Sequence, residues 1–145
     1  MFVRQLFDAE SSTYTYLVAD RAAGVAALID PVREQVDRDL TLLHELGLRL
    51  THVLDTHVHA DHVTAAWRLR EALGSTIALA ATSGATGADR LLHDGDEVRF
   101  GAHALTVLST PGHTDGCLSF VTEGRDHVFT GDSLMIRAAG RTDFQ

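Results

Sequence analysis
The sequence predicts a single mixed α/β domain of the α+β kind. Three observations carry that expectation. Short runs rich in aromatic and β-branched residues occur along the whole chain, and two stretches repeat apolar residues at helical spacing. Read in order, these patterns give three strands, a helix, a strand, a helix and then at least five strands. The 145 residues are enough to bury one core, and a composition of 45% hydrophobic and 22% charged residues is that of an ordinary globular chain.

Met1 to Phe7 and Thr13 to Ala19 read as a hairpin across the polar turn Asp8 to Ser12, and Val25 to Ile29 makes a third strand after Gly24. Asp30-Pro31 suits a helix start, the carboxylate accepting free N–H groups and the proline tolerated in the first turn. Val36, Leu40, Leu43 and Leu46 recur at helical spacing within Arg33 to Leu46, and Gly47 falls where a left-handed C-terminal cap belongs. Leu50 to Leu54 is a short apolar strand. A second helix runs from Val63 to Leu73 with Val63, Ala66, Trp67 and Leu73 on one side, so Trp67 is expected in the core. After the strand Thr76 to Ala80, the loop Ala81 to Asp89 is too short for a linker, because the apolar pattern resumes at once. Asp94-Gly95-Asp96 turns into a strand that pairs with Ala104 to Leu108 across Gly101, and Leu118 to Val121 and His127 to Thr130 are two more strands.

Composition excludes several functions. A formal net charge of −8 leaves no basic face for nucleic acid or anionic lipid, and no apolar run is long enough to span a bilayer. All 12 basic residues are arginine, so Schiff-base chemistry and a phosphate-cradling P-loop both lack their lysine. A single cysteine, Cys117, cannot form an internal disulfide, and beside the PGHT segment it is expected as a small buried thiol. The opening MFVRQLFDAE has the look of neither a signal peptide nor a transit peptide, which makes the cytoplasm the expected compartment. Arg and Ala richness fits a GC-rich bacterial genome.

The chemistry concentrates in Thr51 to His62, THVLDTHVHADH, where His57, His59, Asp61 and His62 follow an apolar strand. A lone histidine at a strand end is usually a satisfied polar residue. Four ligand-type side chains within six positions, followed by Pro111-Gly112-His113-Thr114 and Thr130-Gly131-Asp132, reverse that reading. In an extended segment residues two apart point the same way, so His57 and His59 can face one cavity. Asp61 and His62 fall in the first turn of the next helix, where the dipole favours a carboxylate. Three strand ends thus present His57/His59, His113 and Asp132, a nest of imidazoles and carboxylates suited to a divalent metal. His44, His52, His93, His103 and His127 lack such neighbours and are read as structural or solvated.

THVHADH resembles the HxHxDH motif of the metallo-β-lactamase fold superfamily, with His113 and Asp132 in the places of its next ligand and its bridging carboxylate. The resemblance implies a four-layer αββα sandwich of two mixed sheets. Within that superfamily, RQLFDAESSTYTYLVAD, PGHTDGCLSF and TGDSLMIRAAGRTDFQ are similar to the persulfide dioxygenase branch along nearly the whole chain. What that branch implies is one Fe(II) held by His57, His113 and Asp132, with His59, Asp61 and His62 as supporting groups or, alternatively, as ligands of a second metal. Asp61 and Arg141 are the candidate catalytic groups, and Arg137 and Arg141 the candidates for an anionic substrate; a salt bridge from Arg141 to Asp143 competes with the latter role. The implied reaction oxidises glutathione persulfide with O2 to sulfite and glutathione.

Two other readings stay open. One is a di-zinc thioesterase of the glyoxalase II (hydroxyacylglutathione hydrolase) kind; the other is a metal-binding half-domain without activity of its own. Members of the family continue past GRTDFQ, so residues 1–145 are expected to cover mainly the N-terminal part of the fold. Such a chain is expected to form a homo-oligomer or to associate with a missing C-terminal half.

Overall fold
In the computed structural model residues 1–57, 60–84, 86–111 and 116–130 are described, the side chains of 60–64 excepted, together with the backbone of 134–135 and 138–139. β1 (Phe2–Asp8) and β2 (Thr13–Asp20) pair antiparallel through the turn between them, and β3 (Val25–Ile29) joins β2 antiparallel. β3 is buried along its entire length, which is what an unbroken apolar run requires of a strand covered on both faces.

From β3 onward the sheet turns parallel. α1 (Val36–Leu46) carries the chain to β4 (Arg49–Leu54), and α2 (Ala60–Leu73) carries it to β5 (Thr76–Ala80). β6 (Arg90–Leu92), three residues that the sequence did not distinguish from loop, extends the parallel run beside β5 and makes the order β1-β2-β3-β4-β5-β6. The second sheet is antiparallel, ordered β10 (Val128–Phe129), β9 (Leu118–Thr122), β8 (His103–Ser109) and β7 (Glu97–Phe100). A small pair, β11 (Leu134–Met135) and β12 (Ala138–Ala139), follows.

Two apolar layers hold these parts together. Between the sheets lie Val18, Ala27, Ile29 and Leu54 from one side and Val98, Phe100, Leu105 and Phe120 from the other. Between the six-stranded sheet and the helices lie Leu17, Leu28, Leu43, Leu50, Val53, Ala65, Ala66 and Leu69. Each fully buried Leu or Phe contributes about 1.5–3 kcal/mol relative to an exposed one. Helix, sheet and sheet therefore stack as the first layers of an αββα sandwich. At the end remote from the carboxyl end of β4, Asp20 ties the sheets through its carboxylate, which accepts the N–H groups of Ala23 at 3.1 Å and Ala102 at 2.8 Å. Those bonds hold it below the usual carboxylate range. Gly101 sits so close that an added Cβ would lie 2.5 Å from Asp20 Oδ2.

Gly47 caps α1 as expected, with φ of 66° and its N–H on His44 O at 3.1 Å. Two expectations are corrected. Asp30 does not cap α1: a 3₁₀ turn, Arg33–Gln35, precedes the helix, and neither it nor α1 has a side-chain cap. Asp30 instead adopts a left-handed backbone with φ of 55°, its N–H continues the ladder to Leu54 O at 2.9 Å, and its carboxylate turns toward β4. Trp67 is not core. It is 43% exposed, because the inward stripe of α2 is Ala65, Ala66 and Leu69, which leaves Trp67 and Leu73 on the rim.

The inward stripe of α1 carries one acid among apolar groups. Asp39 is 1% exposed, and burial pushes its carboxyl up to about 6 despite the Arg38 guanidinium 3.0 Å away. Below about pH 4 the acid is neutral in both folded and unfolded chains. As pH climbs from there to about 6, the unfolded chain ionises first, so stability falls across that window. Asp39→Asn should flatten this decline and raise stability at pH 7 by about 1–2 kcal/mol, read from urea unfolding at a series of pH values. An unchanged pH profile would remove Asp39 as its cause.

Candidate metal centre
β4 is a parallel strand in the middle of its sheet, and its carboxyl end is where the chain must leave toward α2. Asp55, Thr56 and His57 occupy that exit, and all three are buried. His57 is 5% exposed and its Nδ1 lies 3.1 Å from Thr56 Oγ1. With Nδ1 turned to Thr56, a metal would be taken by Nε2.

Asp30, at the end of neighbouring β3, holds this exit from the side. Oδ1 accepts the Thr56 N–H at 2.7 Å and Oδ2 accepts the Thr56 hydroxyl at 2.6 Å. Its own carbonyl accepts the Thr15 hydroxyl at 2.7 Å. Asp55 is 2% exposed; burial drives its carboxyl well above the ordinary value, and the negative charge of Asp30 adds to that.

The second segment reaches the same place from the other sheet. Thr110 N–H bonds to Cys117 O at 3.0 Å, closing a loop that carries His113. Immediately after it, Leu118 N–H donates to Thr56 O at 2.6 Å, so the base of that loop is clipped to the residue preceding His57. Cys117 is a buried thiol, as expected. The 3₁₀ turn Ala81–Ser83 presses on the loop from outside: a Cβ on Gly116 would fall 2.9 Å from Ser83 Cα and 3.1 Å from Ser83 Cβ. Arg70 of α2 secures the segment that follows, bonding Asp89 at 2.9 Å and Gly87 O at 3.2 Å while its guanidinium covers the Trp67 ring at 4.0 Å.

Of the residues selected from the sequence, His57 is described, and the backbone puts Asp61 and His62 in the first turn of α2. The side chains of Asp61 and His62, and His59, His113, Asp132, Arg137 and Arg141 altogether, lie outside the described residues. Among the described residues no three metal-binding side chains form a cluster. His103 pairs with Glu123 at 2.9 Å, and His93 and His127 lie beside Asp96 and Asp126, so these histidines have local surface partners. Sequence reasoning missed Asp30, Thr56 and the Gly116–Ser83 contact. The Asp-Thr-His run of 55–57 was the only available signal for Thr56; nothing local pointed to Asp30 as its partner.

Among the described residues no helix is long and apolar enough to cross a membrane. Gly116→Ala must displace backbone rather than a flexible side-chain tip, and should cost about 1–3 kcal/mol of stability by chemical denaturation; a neutral substitution would mean that the Ser83 turn yields freely.

Known proteins fit this geometry. The chain is 49% identical over 146 residues to "Persulfide dioxygenase ETHE1, mitochondrial" of Homo sapiens, covering all of this chain and 57% of that protein. It is 41% identical over 133 residues to a hydroxyacylglutathione hydrolase of Cereibacter sphaeroides, covering 90% of this chain and 51% of that one. The crystal structure of ETHE1 from Myxococcus xanthus superposes with a TM-score of 0.93 at 56% identity, covering all of this chain and 63% of the other. The chain thus spans little more than half the length of these curated relatives. The family model described as "Metallo-beta-lactamase superfamily" matches residues 9–145, and the chain belongs to that superfamily.

Proposed function
We propose that this chain carries the metal-binding part of a persulfide dioxygenase, which oxidises glutathione persulfide with O2 to sulfite and glutathione. O2 supplies two of the three sulfite oxygens and water the third, and the thiol of glutathione leaves with a proton. The observation that carries the reading is the Leu118–Thr56 bond, which joins the base of the His113 loop to the His57 segment of a chain 49% identical to a persulfide dioxygenase.

The donor chemistry fits a metal: His57 is a buried imidazole held at Nδ1, at a strand exit with further imidazoles and carboxylates near it in sequence. His57, His113 and Asp132 would hold one Fe(II), leaving positions for substrate. When bound, iron supplies the electron transfer to O2 that side chains cannot. His59, Asp61 and His62 would surround that set, and Asp61 would accept or return a proton. Arg141 and Arg137 would attract the anionic substrate. Residues 1–145 act in this reading as one domain of a cytoplasmic protein, alone as a homo-oligomer or with the remainder of such a sandwich.

The second reading, a di-zinc thioesterase, is favoured by the 41% identity to a hydroxyacylglutathione hydrolase. Elemental analysis of anaerobically purified protein separates the two. One iron per chain, abolished by His113→Ala and retained in His62→Ala, supports the dioxygenase; two zincs, one lost in His62→Ala, support the hydrolase. O2 uptake with glutathione persulfide, against cleavage of S-lactoylglutathione, gives the matching activity test. Iron-replete protein that consumes no O2 with the persulfide would overturn the first reading.

A further inference from the structure
We infer that Asp30 and Thr56 form a polarised hydrogen-bond relay that sets which nitrogen of His57 carries the proton. The inference rests on the reading of His57 as a metal ligand, and deepens it. A carboxylate only accepts hydrogen bonds. Asp30 Oδ2 therefore takes the Thr56 hydroxyl proton at 2.6 Å, while Oδ1 is held by the Thr56 N–H at 2.7 Å. A hydroxyl has one proton to give. Having given it to Asp30, Thr56 Oγ1 meets His57 Nδ1 at 3.1 Å with lone pairs alone, so Nδ1 must be the nitrogen that carries hydrogen. Nε2 is then the unprotonated nitrogen, the form a metal needs, and it is prepared before any metal arrives.

The relay explains two otherwise unconnected features. Asp30 has a left-handed backbone, φ 55°, uncommon outside glycine though tolerated by Asp and Asn. That conformation lets one carboxylate at the end of β3 span both donor groups of Thr56, just beyond β4. Thr56 is 1% exposed, so water does not compete for its hydroxyl.

The arrangement can be inverted at constant shape. In Asp30→Asn, the amide oxygen must stay on the Thr56 N–H, because that group can only donate. The amide NH2 then faces Thr56 Oγ1 and donates to it. The hydroxyl proton turns to His57 Nδ1, and the ring proton moves to Nε2, where it blocks metal binding. Thr56→Val removes the relay, and Thr56→Ser restores it. Asp30 and Thr56 are positioning residues in this scheme, since they act only through His57.

The test uses 15N NMR of histidine-labelled, metal-free protein at a pH where imidazole is neutral, with His57→Gln to assign the ring, alongside Zn(II) and Co(II) titrations. Wild type and Thr56→Ser should show hydrogen on Nδ1 and bind metal alike. Asp30→Asn should show hydrogen on Nε2, and both it and Thr56→Val should bind metal about 10–100-fold more weakly. Hydrogen on Nε2 in the wild type, or on Nδ1 in Asp30→Asn with unchanged affinity, would overturn the relay. If Thr56→Val fails to fold, Asp30→Asn and Thr56→Ser decide. A wild type that binds neither metal would sink the metal reading, while the ring spectra would still accept or reject the relay.

Discussion
Among the described residues, a backbone hydrogen bond from Leu118 N–H to Thr56 O ties the second sheet to the exit of β4. Between the sheets lies the apolar layer of Val18, Ile29, Leu54, Phe100, Leu105 and Phe120, whose packing is strong but non-directional. A hydrogen bond between the start of β9 and the exit of β4 fixes the register of one sheet on the other where it matters for chemistry. Asp20 supplies the matching constraint at the opposite end, gripping the β7–β8 turn from the β2–β3 turn. Pinned at both ends, the sandwich has little freedom to slide. The residues beside His57 are therefore held from both sheets.

The acidic surplus of the chain has a structural use. Asp8, Asp20, Asp89 and Asp96 each accept a backbone N–H, and each is held below its ordinary acidity range by hydrogen bonds, at Asp8 first by those from the Ser11 hydroxyl and the Gln35 amide and at the other three first by the backbone N–H. Asp30 does the same for Thr56, and Asp94 for Ser109. Carboxylates serve here as staples for loops. Stability from the four depressed groups is present above their unfolded values and is lost as pH falls through the folded ones. Asp39 works in the opposite sense, so acid weakens the turns while relieving the helix layer.

Much of this architecture is legible in residue order. The apolar run of β3, the alternation of β7 and the Gly47 cap follow from local rules, and the histidine cluster announces itself by density. What local rules could not show is partnership across the sheet. Asp30 has the sequence of a helix cap and the structure of a β3–β4 brace, because its left-handed backbone is set by the parallel ladder to Leu54. Trp67 sits at apolar spacing yet lies on the rim, since the small Ala65 and Ala66 bring α2 close to the sheet and leave no depth for an indole. Thr56 is an unremarked letter between two more conspicuous ones; only its contacts give it a role.

The rim position of Trp67 has a spectroscopic consequence. It is the only tryptophan of the chain, it carries the Arg70 guanidinium on its face, and its indole edge lies 3.3 Å from where a Cβ on Gly87 would stand. The same Arg70 fastens the 87–89 segment, which continues from the turn that abuts Gly116. Tryptophan fluorescence of this protein is thus a single-site signal. Its emission reports the packing of the Trp67 indole against the Arg70 guanidinium and Gly87.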